Sequence, residues 1–118
     1  MRLTEISYGS ALPIESYGPG FFRLGTHVLR GACLITPWDA GPWGGLGDTA
    51  VPLALTGRID VLLLGMGADL AAVPRDFRKA LETAGIGVEP MNSPAACRTY
   101  NVLLGEGRRI AAALLPVG

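Results

Sequence analysis

An α/β fold built on a parallel crossover unit follows from three features of the chain. The second half alternates strand, helix, strand, helix and strand patterns. One of those strands, Ile59-Asp60-Val61-Leu62-Leu63-Leu64, is almost continuously apolar, as a parallel strand covered on both faces must be. Finally, 118 residues, 49% of them hydrophobic, suffice for one domain whose core needs neither disulfide nor metal. A single domain over residues 1–118 is therefore expected, with no linker and no repeat. The apolar content excludes disorder, and no apolar run approaches the ~20 residues that span a bilayer.

The elements follow in order. Tyr17-Gly18-Pro19-Gly20 is a tight turn by its Gly and Pro chemistry. Phe21–Leu24 and His27–Arg30, joined at Gly25-Thr26, read as a hairpin, and Ala32–Thr36 as a further strand. Residues 37–47 hold four Gly and two Pro and predict an irregular loop carrying Trp38 and Trp43. Asp48 or Thr49 caps a short helix that runs through Thr56 and closes at Gly57. After the apolar strand, Pro74–Ala84 is an amphipathic helix, with Phe77, Ala80, Leu81 and Ala84 on one face and Gly85 as its stop. Gly87–Met91 is a short strand. Ser93 is expected to cap a helix opening at Pro94 and running to Leu104, with Ala95, Thr99, Val102 and Leu103 packed on the sheet. Arg109–Leu115 is the last strand, and Glu106 is expected to pair locally with Arg108 or Arg109.

Charge and cysteine usage narrow the function classes. Ten Lys+Arg balance ten Asp+Glu, and the only adjacent basic pairs are Arg78-Lys79 and Arg108-Arg109, so no nucleic-acid partner is expected. Cys33, Cys97 and His27 are the only Cys and His residues and cannot supply the roughly four ligands of a structural zinc. No metal and no cofactor are expected. Isolated cysteines suit a reducing compartment, so the expected location is cytoplasmic, and Met1-Arg2-Leu3-Thr4-Glu5 has no signal-peptide character.

Chemistry has few candidates. Gly65-Met66-Gly67 after a strand suggests a phosphate-binding turn, and Glu89 sits about where a ribose-binding acid would fall. The third Gly is missing, however, because position 70 is Leu, so an ordinary tight turn explains the motif better. At the start of the late helix, the dipole and Arg98 would favour a thiolate at Cys97, with Asn101 one turn on. The alternative is a small buried cysteine beside a structural arginine. Free amides at Ala95 and Ala96, with Arg98, would also make a weak anion site. Gly65, Gly67, Ser93, Cys97, Arg98 and Asn101 thus define one hypothetical pocket at the strand ends. Trp38 and Trp43 are either partner anchors or covers for the core edge. His27 and Arg30 complete a second hypothetical contact surface.

Several blocks resemble a known family: Tyr17-Gly18-Pro19-Gly20-Phe21-Phe22-Arg23, Arg30-Gly31, Trp43, Asp60–Gly67, Gly85–Met91, Ala95–Leu103 and Glu106-Gly107-Arg108-Arg109. It is a domain-of-unknown-function group of small bacterial and archaeal proteins, similar to mitochondrial complex I assembly factor three and to an adipogenesis-associated animal protein. The resemblance covers about residues 12–117 and departs mildly at Ser93, where Thr is frequent. It implies a central mixed β-sheet with flanking helices and a small additional β layer. It also implies an assembly role through protein contacts, and a membrane-linked partner, because bacterial members often adjoin genes for Sec protein translocation. It carries no catalytic residue over, and the start of the chain lacks a mitochondrial presequence. The resulting expectation is a noncatalytic protein-binding or assembly module. The alternative is an anion-binding enzyme or sensor centred on Cys97 and Arg98.

Overall fold

The apolar run beginning at Ile59 becomes the central strand of a mixed sheet. The structure, a computed structural model, describes residues 6–7 and 12–118; Met1–Glu5, read above as lacking signal-peptide character, lies outside the described residues. The elements are β1 (Ile6–Ser7), β2 (Ser16–Gly18), β3 (Phe21–Leu24), β4 (His27–Arg30), β5 (Cys33–Ile35) and β6 (Asp39–Pro42). There follow α1 (Ala50–Leu53), β7 (Val61–Met66), α2 (Arg75–Thr83), β8 (Gly87–Met91), α3 (Ser93–Gly105) and β9 (Ile110–Leu115). The six-stranded sheet has the order β1-β6-β5-β9-β7-β8, and β2-β3-β4 form a separate three-stranded sheet. Strand β7 is parallel to β8 and β9 on either side, whereas β5 runs antiparallel to β9 and β6. This is the central mixed sheet with flanking helices and a small β layer.

Side-chain alternation explains why the inner strands are apolar throughout. Along β7, Leu62, Leu64 and Met66 enter a core shared with Phe77 and Leu81 of α2 and with Val51. Leu63 enters a second core with Ala96, Cys97 and Tyr100 of α3 and with Phe22, Leu24 and Leu29 of the small sheet. Strand β9 divides the same way, with Ala111 and Ala113 on one side and Ile110, Ala112 and Leu114 on the other. Helices α2 and α3 thus cover opposite faces. The chain steps from β7 to β8 on one side and returns past β7 to β9, so right-handed crossovers require that placement.

Four local expectations change. The Gly/Pro stretch contains a strand, β6, paired with β5 and, at its start, with β1. Amide bonds from Thr36 to Asp39 and from Trp43 to Ala32 place the Cys33–Pro42 pair at a non-hydrogen-bonded position, so proline's missing N–H breaks no ladder bond. Helix α1 is a single turn, and Thr49 makes no side-chain cap; Asp48 instead accepts from the Val51 amide (3.2 Å) and the Gly44 amide (3.0 Å). Asn92 rather than Ser93 caps α3, its Oδ1 accepting from the Ala95 amide at 2.8 Å, and the helix runs one residue further than expected, to Gly105. The buried face of α3 is Ser93, Ala96, Cys97 and Tyr100, while Val102 is 60% exposed. Helix α2 keeps the expected face, with Phe77 and Leu81 buried. Glu106 pairs with Arg108 at 3.8 Å, whereas Arg109 turns to Asp60 at 3.4 Å.

Candidate functional site

At the C-terminal ends of β7 and β9 the structure brings Gly65, Gly67 and Ser93 together, but as a seam and not a crevice. The Ser93 amide donates to the Gly67 carbonyl at 2.7 Å, and the Ser93 hydroxyl donates to the Leu115 carbonyl and accepts from the Gly67 amide at 2.9 Å. A Cβ on Gly65 would stand 2.7 Å from Ser93 Oγ and 3.0 Å from Ser93 Cα. The missing side chain therefore admits the backbone of α3, not a phosphate. Gly67 is needed for its left-handed turn, at φ 94°.

The remaining members of that hypothetical pocket point elsewhere. The Ala95 and Ala96 amides, read above as free, donate to Asn92 Oδ1 and to the Asn92 carbonyl. Pro94 has no amide hydrogen, so the first turn of α3 has no spare donor for an anion. Arg98 is exposed. Asn101 grips the backbone of Ile14, accepting from its amide and donating to its carbonyl, both at 2.8 Å. Cys97 is 4% exposed, and burial pushes its thiol up to about 11 despite the opposing charge of Arg98. Desolvation thus outweighs the dipole and the arginine, and the thiol stays protonated at neutral pH. Cys33 is raised further by burial and by proximity to Cys97.

The two tryptophans separate. Trp43 is a core residue: its ring lies 6.0 Å from Phe77, and its Nε1–H donates to the Asp48 carbonyl at 2.9 Å. It ties the Gly-rich loop to the sheet and leaves no face for a partner. Trp38 is half-buried at the edge of the same core, with the Arg58 guanidinium 4.0 Å above its ring.

His27 and Arg30 are both exposed on β4, and they line a groove of about 530 Å³ together with Thr26, Val28, Leu29, Cys33 and Pro42. Thr26, Cys33 and Pro42 carry no sequence signal for this role, since three separate segments meet there only after folding. Five consecutive residues line the groove although strand side chains alternate in direction, so it runs along the edge of β4 and not over one face. A shallower concavity of about 400 Å³ lies over Arg75, Arg78, Lys79, Glu82 and Thr83 of α2, where Arg78 is already engaged by Glu82 at 3.2 Å. Among the described residues, no group of three or more His, Cys, Asp or Glu side chains is placed to hold a metal ion.

Known proteins are similar to this chain in sequence and in fold. An uncharacterised protein of Rhodobacter capsulatus is 51% identical over 117 residues, covering 99% of this chain and 94% of its own. The zebrafish (Danio rerio) protein named NADH dehydrogenase [ubiquinone] 1 alpha subcomplex assembly factor 3 is 34% identical, across 95% of this chain and 67% of its own. A crystal structure described as an outer membrane protein from Bartonella henselae superposes with a TM-score of 0.83 at 34% identity, over 94% of this chain and 99% of that one. Residues 14–115 match the family described as Protein of unknown function (DUF498/DUF598). With the small sheet, every strand of the large sheet except β1, and the α3 seam inside the matched span, the chain belongs to the DUF498/DUF598 family.

Proposed function

We propose that this chain is a noncatalytic protein-binding or assembly module that contacts its partner through the β4 side of the small sheet. The observation that carries this reading is the groove along β4, where exposed His27 and Arg30 flank an open concavity of about 530 Å³. Among the described residues neither side chain forms an ion pair, so the Arg30 charge and the hydrogen-bonding capacity of both side chains are available to a partner. The similarity to complex I assembly factors supports the same reading and suggests a partner that belongs to a membrane complex.

A photo-reactive amino acid at Val28 tests the proposal in cells, with the same probe at exposed Val102 as the control. One discrete membrane-fractionating adduct is expected at Val28 and not at Val102, and Arg30→Glu should abolish it without changing stability. Equal adducts at both positions, or an adduct that survives Arg30→Glu, would remove the β4 surface from the argument.

A further inference from the structure

Among the described residues, strand β4 lies at the outer edge of the three-stranded sheet and is paired only with β3. The pairs are Leu24–His27, Arg23–Val28, Phe22–Leu29 and Phe21–Arg30, and the Gly31 amide donates to the Gly20 carbonyl at 2.9 Å in the next position. In an antiparallel ladder, hydrogen-bonded and non-hydrogen-bonded pairs alternate. Counting back from the Gly20–Gly31 bond, Leu29 and His27 bond inward to β3, whereas the N–H and C=O groups of Val28 and Arg30 face outward. Among the described residues no backbone group meets them. These are the donors and acceptors that the groove along this edge exposes.

We propose that β4 accepts an extended, acidic segment of a partner protein as a fourth strand, hydrogen-bonded to Val28 and Arg30. The proposal rests on the protein-binding reading above and gives it a mode. Strand addition obtains its affinity from main-chain hydrogen bonds and its selectivity from alternate side chains. Selectivity here comes from charge. Arg30 lines the edge itself, Arg23 of β3 is paired with Val28 and so adds a second positive charge one strand inward on the same face, and His27 stands at the end of the strand. All three basic side chains are exposed, and none forms an ion pair among the described residues. The acid nearest in this sheet, Glu15, enters β2 on the far side of β3 from the groove. Val28, 39% exposed, supplies an apolar contact between the arginines. Four residues of strand span about 13 Å, so the segment need be only about four to six residues long.

The probe is a terminally blocked seven-residue peptide in which glutamate alternates with valine, titrated into the intact protein and followed by amide NMR. Hydrogen exchange at Val28 and Arg30 should slow about tenfold on saturation, while the already bonded Leu29 amide barely changes. The same peptide with lysine in place of glutamate should bind about tenfold more weakly, as should the original peptide to Arg30→Glu. Val28→Pro removes an outward N–H at an edge position together with the valine contact, so it should keep the fold and lose most of the binding, whereas Val28→Ala, which keeps the N–H, should retain most of it.

Binding without protection of Val28 and Arg30 would overturn strand addition and leave the protein-contact reading standing, and equal binding of the lysine peptide would overturn the acidic partner. No peptide binding, alongside an Arg30-dependent cross-link at Val28, would likewise overturn the strand while sparing the module. Protection already present in the dilute free protein would assign the edge to another segment of this chain. Protection that rises with protein concentration alone would assign it to a second copy.

Discussion

The Ser93 hydroxyl joins the ends of β7 and β9 to the start of α3 through one buried oxygen. Replacing it with alanine leaves the Gly67 N–H and the Leu115 carbonyl short of a partner in a closed space. Ser93→Ala should therefore cost about 1–3 kcal/mol in urea denaturation. Ser93→Thr keeps the hydroxyl. Cys97 makes a prediction of a different kind. Its folded thiol is raised to about 11 from an ordinary 9.0, so between those values the unfolded chain releases a proton that the folded chain retains. Stability should fall as pH rises from about 9 to 11, by an amount of order 3 kcal/mol over the whole window. Denaturation from pH 8 to 10.5 should show a shallower loss in Cys97→Ala than in the unsubstituted protein. Iodoacetamide should label the thiol only on unfolding.

At the scale of elements, α3 does two jobs with two faces. Ser93, Ala96, Cys97 and Tyr100 pack on the sheet, while Asn101 clamps the chain at Ile14, just before β2. Those two 2.8 Å bonds tether the small sheet to a helix 87 positions later in the chain. Asn101→Ala should cost about 1–3 kcal/mol, and its signature should be local. Amide exchange across residues 14–24 should accelerate more than exchange in β7, and uniform acceleration would count against a tether. The contrast between α2 and α3 shows what periodicity can resolve. Helix α2 has charge on one side and Phe77 and Leu81 on the other, so its inner face is readable. Helix α3 has apolar residues on nearly every side, from Ala95 to Leu104, and only contact with β7 and the small sheet selects among them.

Across the whole molecule, the six-stranded sheet separates two cores, one under α1 and α2 and one under α3 and the small sheet. Leu81→Ala in the first should cost about 2–5 kcal/mol and Phe22→Ala in the second about 3–5 kcal/mol, since both are fully buried. The two share no core neighbours, so the double variant should equal their sum within about 0.5 kcal/mol. A larger deviation in thermal or urea unfolding would show that the sheet transmits strain between the cores. Balanced charge over the chain leaves the β3–β4 hairpin, with Arg23 and Arg30, as a local cationic surface that net charge does not reveal.

Local chemistry settled the elements of the crossover unit, through apolar runs, a proline before α2, and glycines at Gly57 and Gly85, both with positive φ, but it left β6 as a loop. It also ordered the crossover unit, because an apolar run buried on both faces demands helices on both sides. The resemblance in Gly85–Met91 and Ala95–Leu103 falls on the parallel strand β8 and on the body of α3. Short-range signals fail where a residue's role depends on a distant partner. Gly65 reads as part of an ordinary tight turn, and only Ser93 packed against it shows why it must be bare; Cys97 reads as either an activated or a small buried thiol until its burial decides between them. Asn101 reads as a neighbour of Cys97 until Ile14 takes both its hydrogen bonds. The groove beside β4 joins a hairpin to Cys33 and Pro42, and the unused hydrogen bonds of Val28 and Arg30 exist only because no other described strand pairs there. Such features are set by which surfaces meet, and that is decided by packing across the sheet and not by the order of residues along the chain.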